Sequence, residues 1–236
     1  MNAVAGGGTF FVFPALLFAG LPPVPANATN TVALWPGIAA SVRAFWPRLN
    51  VSPRLLLPLV MASLLGGVGG ALLLIRTPAE VFMKLVPWLM LAATVLFAFG
   101  GRLGRARAYG GAMETSGARI TVATLFELLV AIYGGYFGGG IGILNLAMLG
   151  ALGMSDIHDM NALKIVLVAI INGVAVVTFI VARAVYWPQA IVILAGAVLG
   201  GYFAAHYSQR LPASWVRGFV LLVGTGMTTY FFLRAH

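Results

Sequence analysis

The chain has 236 residues, of which 61% are hydrophobic and only 8% charged, and its formal net charge is +9. So few charged residues cannot coat a water-soluble globule, in which about a quarter of residues carry charge. The absence of cysteine removes disulfides, thiolate metal sites and cysteine nucleophiles, and the basic residues sit in short loops without the basic, aromatic-bearing face that nucleic acid requires.

In chain order, the first segment, 1–20, reads MNAVAGGGTFFVFPALLFAG and is short for a membrane crossing. It has neither the charged n-region nor the apolar h-region of a cleavable leader. Apolar runs follow near 29–47, 55–75 and 81–100, each approaching the ~20 residues that span the hydrocarbon core. A polar linker, 102–120, then divides the chain into 1–101 and 121–236. Segment 121–153 contains YGGYFGGGIGILNLAMLGALG and is too long for one ordinary span, and runs near 161–182, 188–207 and 213–233 complete the chain. The pattern is that of an all-α polytopic membrane protein.

The two halves repeat. Leu65-Gly66-Gly67 corresponds to Leu199-Gly200-Gly201, Arg76 to Arg210, Pro78 to Pro212, Thr94 to Thr228 and Phe97 to Phe231, all at a spacing of 134. The triple glycines, Gly6-Gly7-Gly8 and Gly138-Gly139-Gly140, correspond at 132. Lysine and arginine mark cytoplasmic loops. Placing Arg43, Arg48, Arg54, Arg102, Arg105, Arg107, Arg119, Arg210 and Arg217 inside leaves Arg76, Lys84 and Arg183 outside. Equivalent loops then fall on opposite sides, so the repeats are inverted, and 121–153 must begin and end inside. A break at Gly138-Gly139-Gly140 gives a re-entrant hairpin with arms of about 15 residues, each roughly 22 Å if helical. Each repeat is thus a glycine-rich hairpin plus three transmembrane helices, with the first hairpin arm truncated. Gly66, Gly67, Gly69, Gly70, Gly200 and Gly201 read as close helix packing. Consecutive glycines let the backbone turn and bring its N–H groups to a ligand.

These stretches resemble a known family. GGG…P…LLFAGLPP…ANATN in the first half, and YGGYFGGGIGILNLAMLGALGMSDIHDMNALK in the second, are similar to the sulfite exporter TauE/SafE family over essentially the whole chain. The resemblance implies a bacterial membrane protein with two related halves that moves sulfite, sulfonates or related sulfur-containing or organic anions. The family usually has a full apolar helix before its first glycine cluster, where this chain has MNAVA.

Lys164 lies about one turn inside its span, where an ammonium facing the glycine turn would attract an anion. The alternative is that it snorkels to the interface beside Asp156 and Asp159. Asn30, its repeat mate, would sit beside the other glycine turn. Thr29, Asn145, Asn161 and Asn172 add polar groups in or near apolar segments and complete the candidate substrate site with Gly6–Gly8 and Gly138–Gly140. Glu127 is the sole carboxylate well inside a span and the candidate for proton coupling. His158 and His206 lack a second ligand at i+3 or i+4, so no metal or cofactor is expected. The tryptophans, Trp35 among them, read as an interfacial belt.

The leading expectation is a secondary transporter of a small anion in the bacterial inner membrane, exporting by alternating access. A passive anion channel and a non-transporting accessory subunit are the alternatives, and an intramembrane enzyme is disfavoured by the scarcity of carboxylates and histidines. Expected partners are the anion, the lipid bilayer and a coupling proton or sodium ion. A homodimer is allowed, and no nucleic acid is expected.

Overall fold

The computed structural model describes residues 8–49, 51–103, 117–154, 156–208 and 213–234. Gly6, Gly7, Arg105, Arg107 and Arg210 lie outside them, as do the side chains of Arg48, Arg102, His206 and Arg217 and the surroundings of Gly200 and Gly201. All regular structure among the described residues is helical: α1 (Thr9–Phe18), α2 (Pro23–Phe45), α3 (Pro53–Arg76), α4 (Ala79–Leu103), α5 (Gly117–Tyr136), α6 (Ile141–Ala151), α7 (Ile157–Val181), α8 (Trp187–Ser208) and α9 (Ala213–Arg234), with a short 3₁₀ turn at Trp46–Arg48.

Four described stretches are long and apolar enough to cross a membrane: Pro53–Arg76, Ala79–Phe99, Gly117–Tyr136 and Ile157–Val181. Helix α2 has the length, but Asn27, Thr29, Asn30 and Thr31 make its first half polar. Helices α2, α3 and α4 begin at residues 23, 53 and 79, and α7, α8 and α9 at 157, 187 and 213, so each start recurs at a spacing of 134.

Local chemistry sets the ends. Prolines open α2 and α3 at the first helical positions, where a missing N–H and a fixed φ are harmless. The short helices α1 and α6 both close on a glycine at positive φ, Gly20 at 85° and Gly153 at 91°. The next amides, Leu21 and Met154, reach back to the carbonyls of Leu16 and Leu149, a Schellman closure in each. Asp156 caps α7 by accepting from the His158 and Asp159 amides.

Helices α3, α5 and α7 run parallel. Ser63 meets Glu127, Gly66 meets Ala131, and Gly70 meets Ile132 and Tyr136 further along both α3 and α5. On α7, Leu163 and Leu167 cluster with Leu55 and Leu59, and Ile171 and Val174 lie against Gly67. Helix α2 runs against α7. Thr29 lies at Tyr186, Trp35 at Ala169 and Gly173, and Leu49 at the cluster holding Met160 and Leu163. The same opposition joins α4 to α9, where Trp88 stacks edge-on against Phe232 at 5.1 Å and Thr94 meets Gly224.

The glycines of α3 are where the backbones touch. A Cβ on Gly70 would overlap the Ile132 carbonyl oxygen, and one on Gly135 would overlap that of Gly67. One on Gly66 would lie 2.6 Å from the Ala131 Cβ. Gly69, on the other face, has open space beside it. Without a hydrophobic driving force between helices in lipid, such close contact supplies the van der Waals attraction that holds them.

Candidate functional site

The break in segment 121–153 falls at the glycines. Helix α5 ends at Tyr136 and α6 begins at Ile141. Gly138 has φ 82° and its amide donates to the Tyr133 carbonyl, while Gly140, the N-cap of α6, has φ 77°. Left-handed backbone costs a residue with a Cβ about 1–2 kcal/mol, so two of the three glycines are required by conformation. The arms are unequal, at 20 and 11 residues, because α5 starts upstream at Gly117 and α6 ends at its Gly153 closure. Helix α6 turns back, bringing Met148 and Leu149 beside Leu55, Leu59 and Leu163, near the start of α5. The turn is held from two sides. The Tyr133 hydroxyl donates to the Gly139 carbonyl at 2.7 Å, and Asn27 Nδ2 of α2 donates to the Tyr136 carbonyl at 2.9 Å.

The positive end of the α6 dipole and its first amides point into this break. Lys164 lies beside them: its side chain is 3% exposed, and its Cδ passes 3.5 Å from where a Cβ on Gly142 would be. Lys164 is therefore buried against α6. Its Nζ donates to Asn161 Oδ1 at 2.8 Å, and Asn161 Nδ2 donates to the Ile157 carbonyl. Asn145, fully buried one turn into α6, donates to the Ile141 carbonyl at 3.3 Å, and its Oδ1 has no partner among the described residues. Asn172 bonds the Val168 carbonyl and places its Oδ1 3.8 Å from the Cβ position of Gly138.

In the first half, Gly8 is the N-cap of α1 with helical φ, −62°, so its backbone makes no demand for glycine. Asn30, 1% exposed, donates to the Thr9 hydroxyl oxygen at 3.4 Å, beside the start of α1. Asn30 and Lys164 thus stand next to the starts of the two short helices. They do not stand together. Each precedes by five residues the point where Trp35 of α2 meets Ala169 of α7, and these helices run oppositely, which separates the pair by about 15 Å along the axis.

Neither Thr29 nor Glu127 joins the α5–α6 break. Thr29 Oγ1 accepts from the Tyr186 amide in the α7–α8 connection. Glu127, fully buried, accepts from the Ser63 hydroxyl at 2.6 Å in the α3–α5 seam, about 15 Å along α5 from the glycine turn. Trp35 corrects the belt reading: it lies mid-helix and its indole donates to the Ala169 carbonyl at 3.0 Å. A 620 Å³ groove between the start of α5 and the end of α6, lined by Arg119, Val122, Phe126 and Met148, reaches none of the candidate polar side chains.

Asn27, Tyr133 and Ser63 carry roles that the sequence did not single out. Asn27 had one signal, its position one helical turn before Asn30.

The sulfite exporter TauE/SafE family matches over residues 1–231. The chain belongs to that family. It is 29% identical over 233 residues to a probable membrane transporter protein of Haemophilus influenzae, covering 97% of this chain and 88% of that one. It is 26% identical over 232 residues to the probable membrane transporter protein ORF9 of Sinorhizobium sp, covering 96% and 85%. It is 25% identical over 240 residues to the probable membrane transporter protein YfcA of Escherichia coli K12, covering 100% and 86%. No solved structure matches. A membrane transporter of the TauE/SafE family is the identity these likenesses give, and its relatives are named as transporters, not enzymes.

Proposed function

We propose that this TauE/SafE protein is a secondary transporter that exports a small anion, a sulfite, sulfonate or related sulfur-containing or organic anion, across the bacterial inner membrane by alternating access. The observation that carries this reading is Lys164, a lysine buried beside the first amides of α6 at a broken-helix turn. A buried ammonium and a helix N-terminus both favour negative charge. Gly138, Gly139, Gly140, Asn145, Asn161 and Asn172 complete this anion station, and Gly6–Gly8 form its first-half counterpart.

The repeats are inverted in this reading. Trp35 bonds Ala169, which is its own mate at a spacing of 134, and the mates α2 and α7 run oppositely, as a two-fold axis in the membrane plane requires. The α5–α6 segment then enters and leaves on the arginine-rich, cytoplasmic side as a re-entrant element. With the interior negative, anion export is favoured by about 2.3 kcal/mol per charge per 100 mV. Glu127 serves to join α3 to α5 rather than to relay protons.

Counterflow in proteoliposomes loaded in turn with sulfite, thiosulfate, sulfate, sulfonates and small carboxylates tests this. Saturable exchange of one anion is expected, falling at least tenfold in Lys164→Gln. Non-saturable flux would instead indicate a passive pore, and absence of flux with every anion an accessory subunit.

A further inference from the structure

The two halves differ at one chemically telling place. Asn27 and Asn30, one turn apart on α2, are the mates of Asn161 and Lys164 on α7 at the spacing of 134. In the second half, Asn161 Oδ1 accepts from the Lys164 ammonium at 2.8 Å. In the first half, Asn27 Oδ1 and Asn30 Oδ1 are buried, on side chains each 1% exposed, and accept no hydrogen bond among the described residues. The orientation of Asn27 is fixed, because its Nδ2 faces the Tyr136 carbonyl, which only accepts. Buried oxygens left without a partner are costly, and more so where no bulk water reaches.

The groups that the two amide nitrogens face accept from them. The Thr9 hydroxyl lies 3.4 Å from Asn30 Nδ2, and the Tyr136 carbonyl belongs to the C-terminal end of α5, the negative end of its dipole. We propose that Asn27 Oδ1, Asn30 Oδ1, Thr9 Oγ1 and the carbonyl end of α5 hold a small monovalent cation, the free-ion counterpart of the Lys164 ammonium in the other half. The donor set is uncharged, which suits an alkali cation. Divalent ions recruit carboxylates, and no carboxylate stands here among the described residues. Neutral oxygens and half-helix C-termini are the means by which broken-helix carriers coordinate sodium.

Coupling this ion to transport rests on the proposed function; its binding does not. Because Asn27 also ties α2 to the glycine turn after α5, occupation of the site would fix that turn against α2.

Purified protein in detergent would be melted in sodium, potassium and choline chloride at equal ionic strength, alongside binding of radiolabelled sodium. Sodium or potassium should raise the melting temperature by several degrees over choline at concentrations about 100-fold above Kd. The variant Asn30→Lys rebuilds the second-half pattern, and its melting temperature should no longer respond to the cation. Equal melting in all three salts, or an Asn30→Lys variant that responds as the wild type does, would overturn the proposal. If that variant does not fold, the wild-type salt series and sodium binding decide alone. Cation stabilisation without anion counterflow would refute the transport reading and leave this site standing; counterflow without cation binding would do the reverse.

Discussion

The seam between α3 and α5 and the cluster around α1, α4 and α9 are both buried, and they are built from opposite materials. In the seam, Gly66, Gly67, Gly70 and Gly135 bring two backbones into contact with almost no side chain between them. In the cluster, Phe13 packs against Phe82, Phe137 and Phe231 at centroid distances of 6.1, 5.9 and 6.4 Å, and Phe10 against Phe97 at 6.4 Å. Backbone contact cannot slide without collision, whereas T-shaped ring pairs keep their attraction over a range of offsets. The seam also joins a helix of the first half to one of the second, so the halves cannot separate there. Under the alternating access proposed above, the seam would serve as the fixed frame, and the aromatic cluster, which holds α1 and Phe137 beside the glycine turn, as the part that shifts.

The most disruptive way to challenge this contrast is to fill the seam. Gly135→Leu should abolish folded protein, read as loss of the monodisperse peak in detergent, because the side chain would occupy the place of the Gly67 carbonyl. Gly70→Ala should cost about 3 kcal/mol as overpacking, measured as a lowered melting temperature. Normal stability in either would mean that the seam is looser than its contacts imply.

Cross-linking tests the assignment of motion directly, and the natural absence of cysteine makes it clean. Joining Trp88 and Phe232 as a cysteine pair should block most counterflow reversibly, whereas joining Ser63 and Glu127 in the same way should leave at least half. The opposite result would exchange the roles of the two regions.

A finer test concerns the one polar bond inside the seam. Ser63→Ala should cost about 1–3 kcal/mol, because it leaves the buried Glu127 carboxyl without its hydrogen-bond donor. Glu127→Gln, which keeps an acceptor for Ser63, should cost less and leave flux intact. Loss of flux at unchanged melting temperature in Glu127→Gln would return this carboxylate to proton coupling. The smallest change is the control, Gly69→Ala. Its added methyl meets nothing within 4 Å, so it should stabilise the helix by up to about 1 kcal/mol.

Much of this was legible in the residues. Apolar runs gave the helices because a lipid-exposed backbone must satisfy its own hydrogen bonds, and glycines with no Cβ marked where helix stops inside segment 121–153. The spacing of 134 read in the residues recurs in the helix starts, from 23, 53 and 79 to 157, 187 and 213. What composition could not show is which faces meet. Gly69 and Gly70 are adjacent and identical in sequence, yet only the second lies under another helix. Trp35 looked like a belt residue until the crossing of α2 and α7 put it over Ala169. Asn27 acquired its role only when residue 136, more than a hundred positions away, was folded onto it. Local pattern is written by the chain's own period, whereas the partner of a buried polar atom is set by long-range packing, and only the tertiary structure decided that.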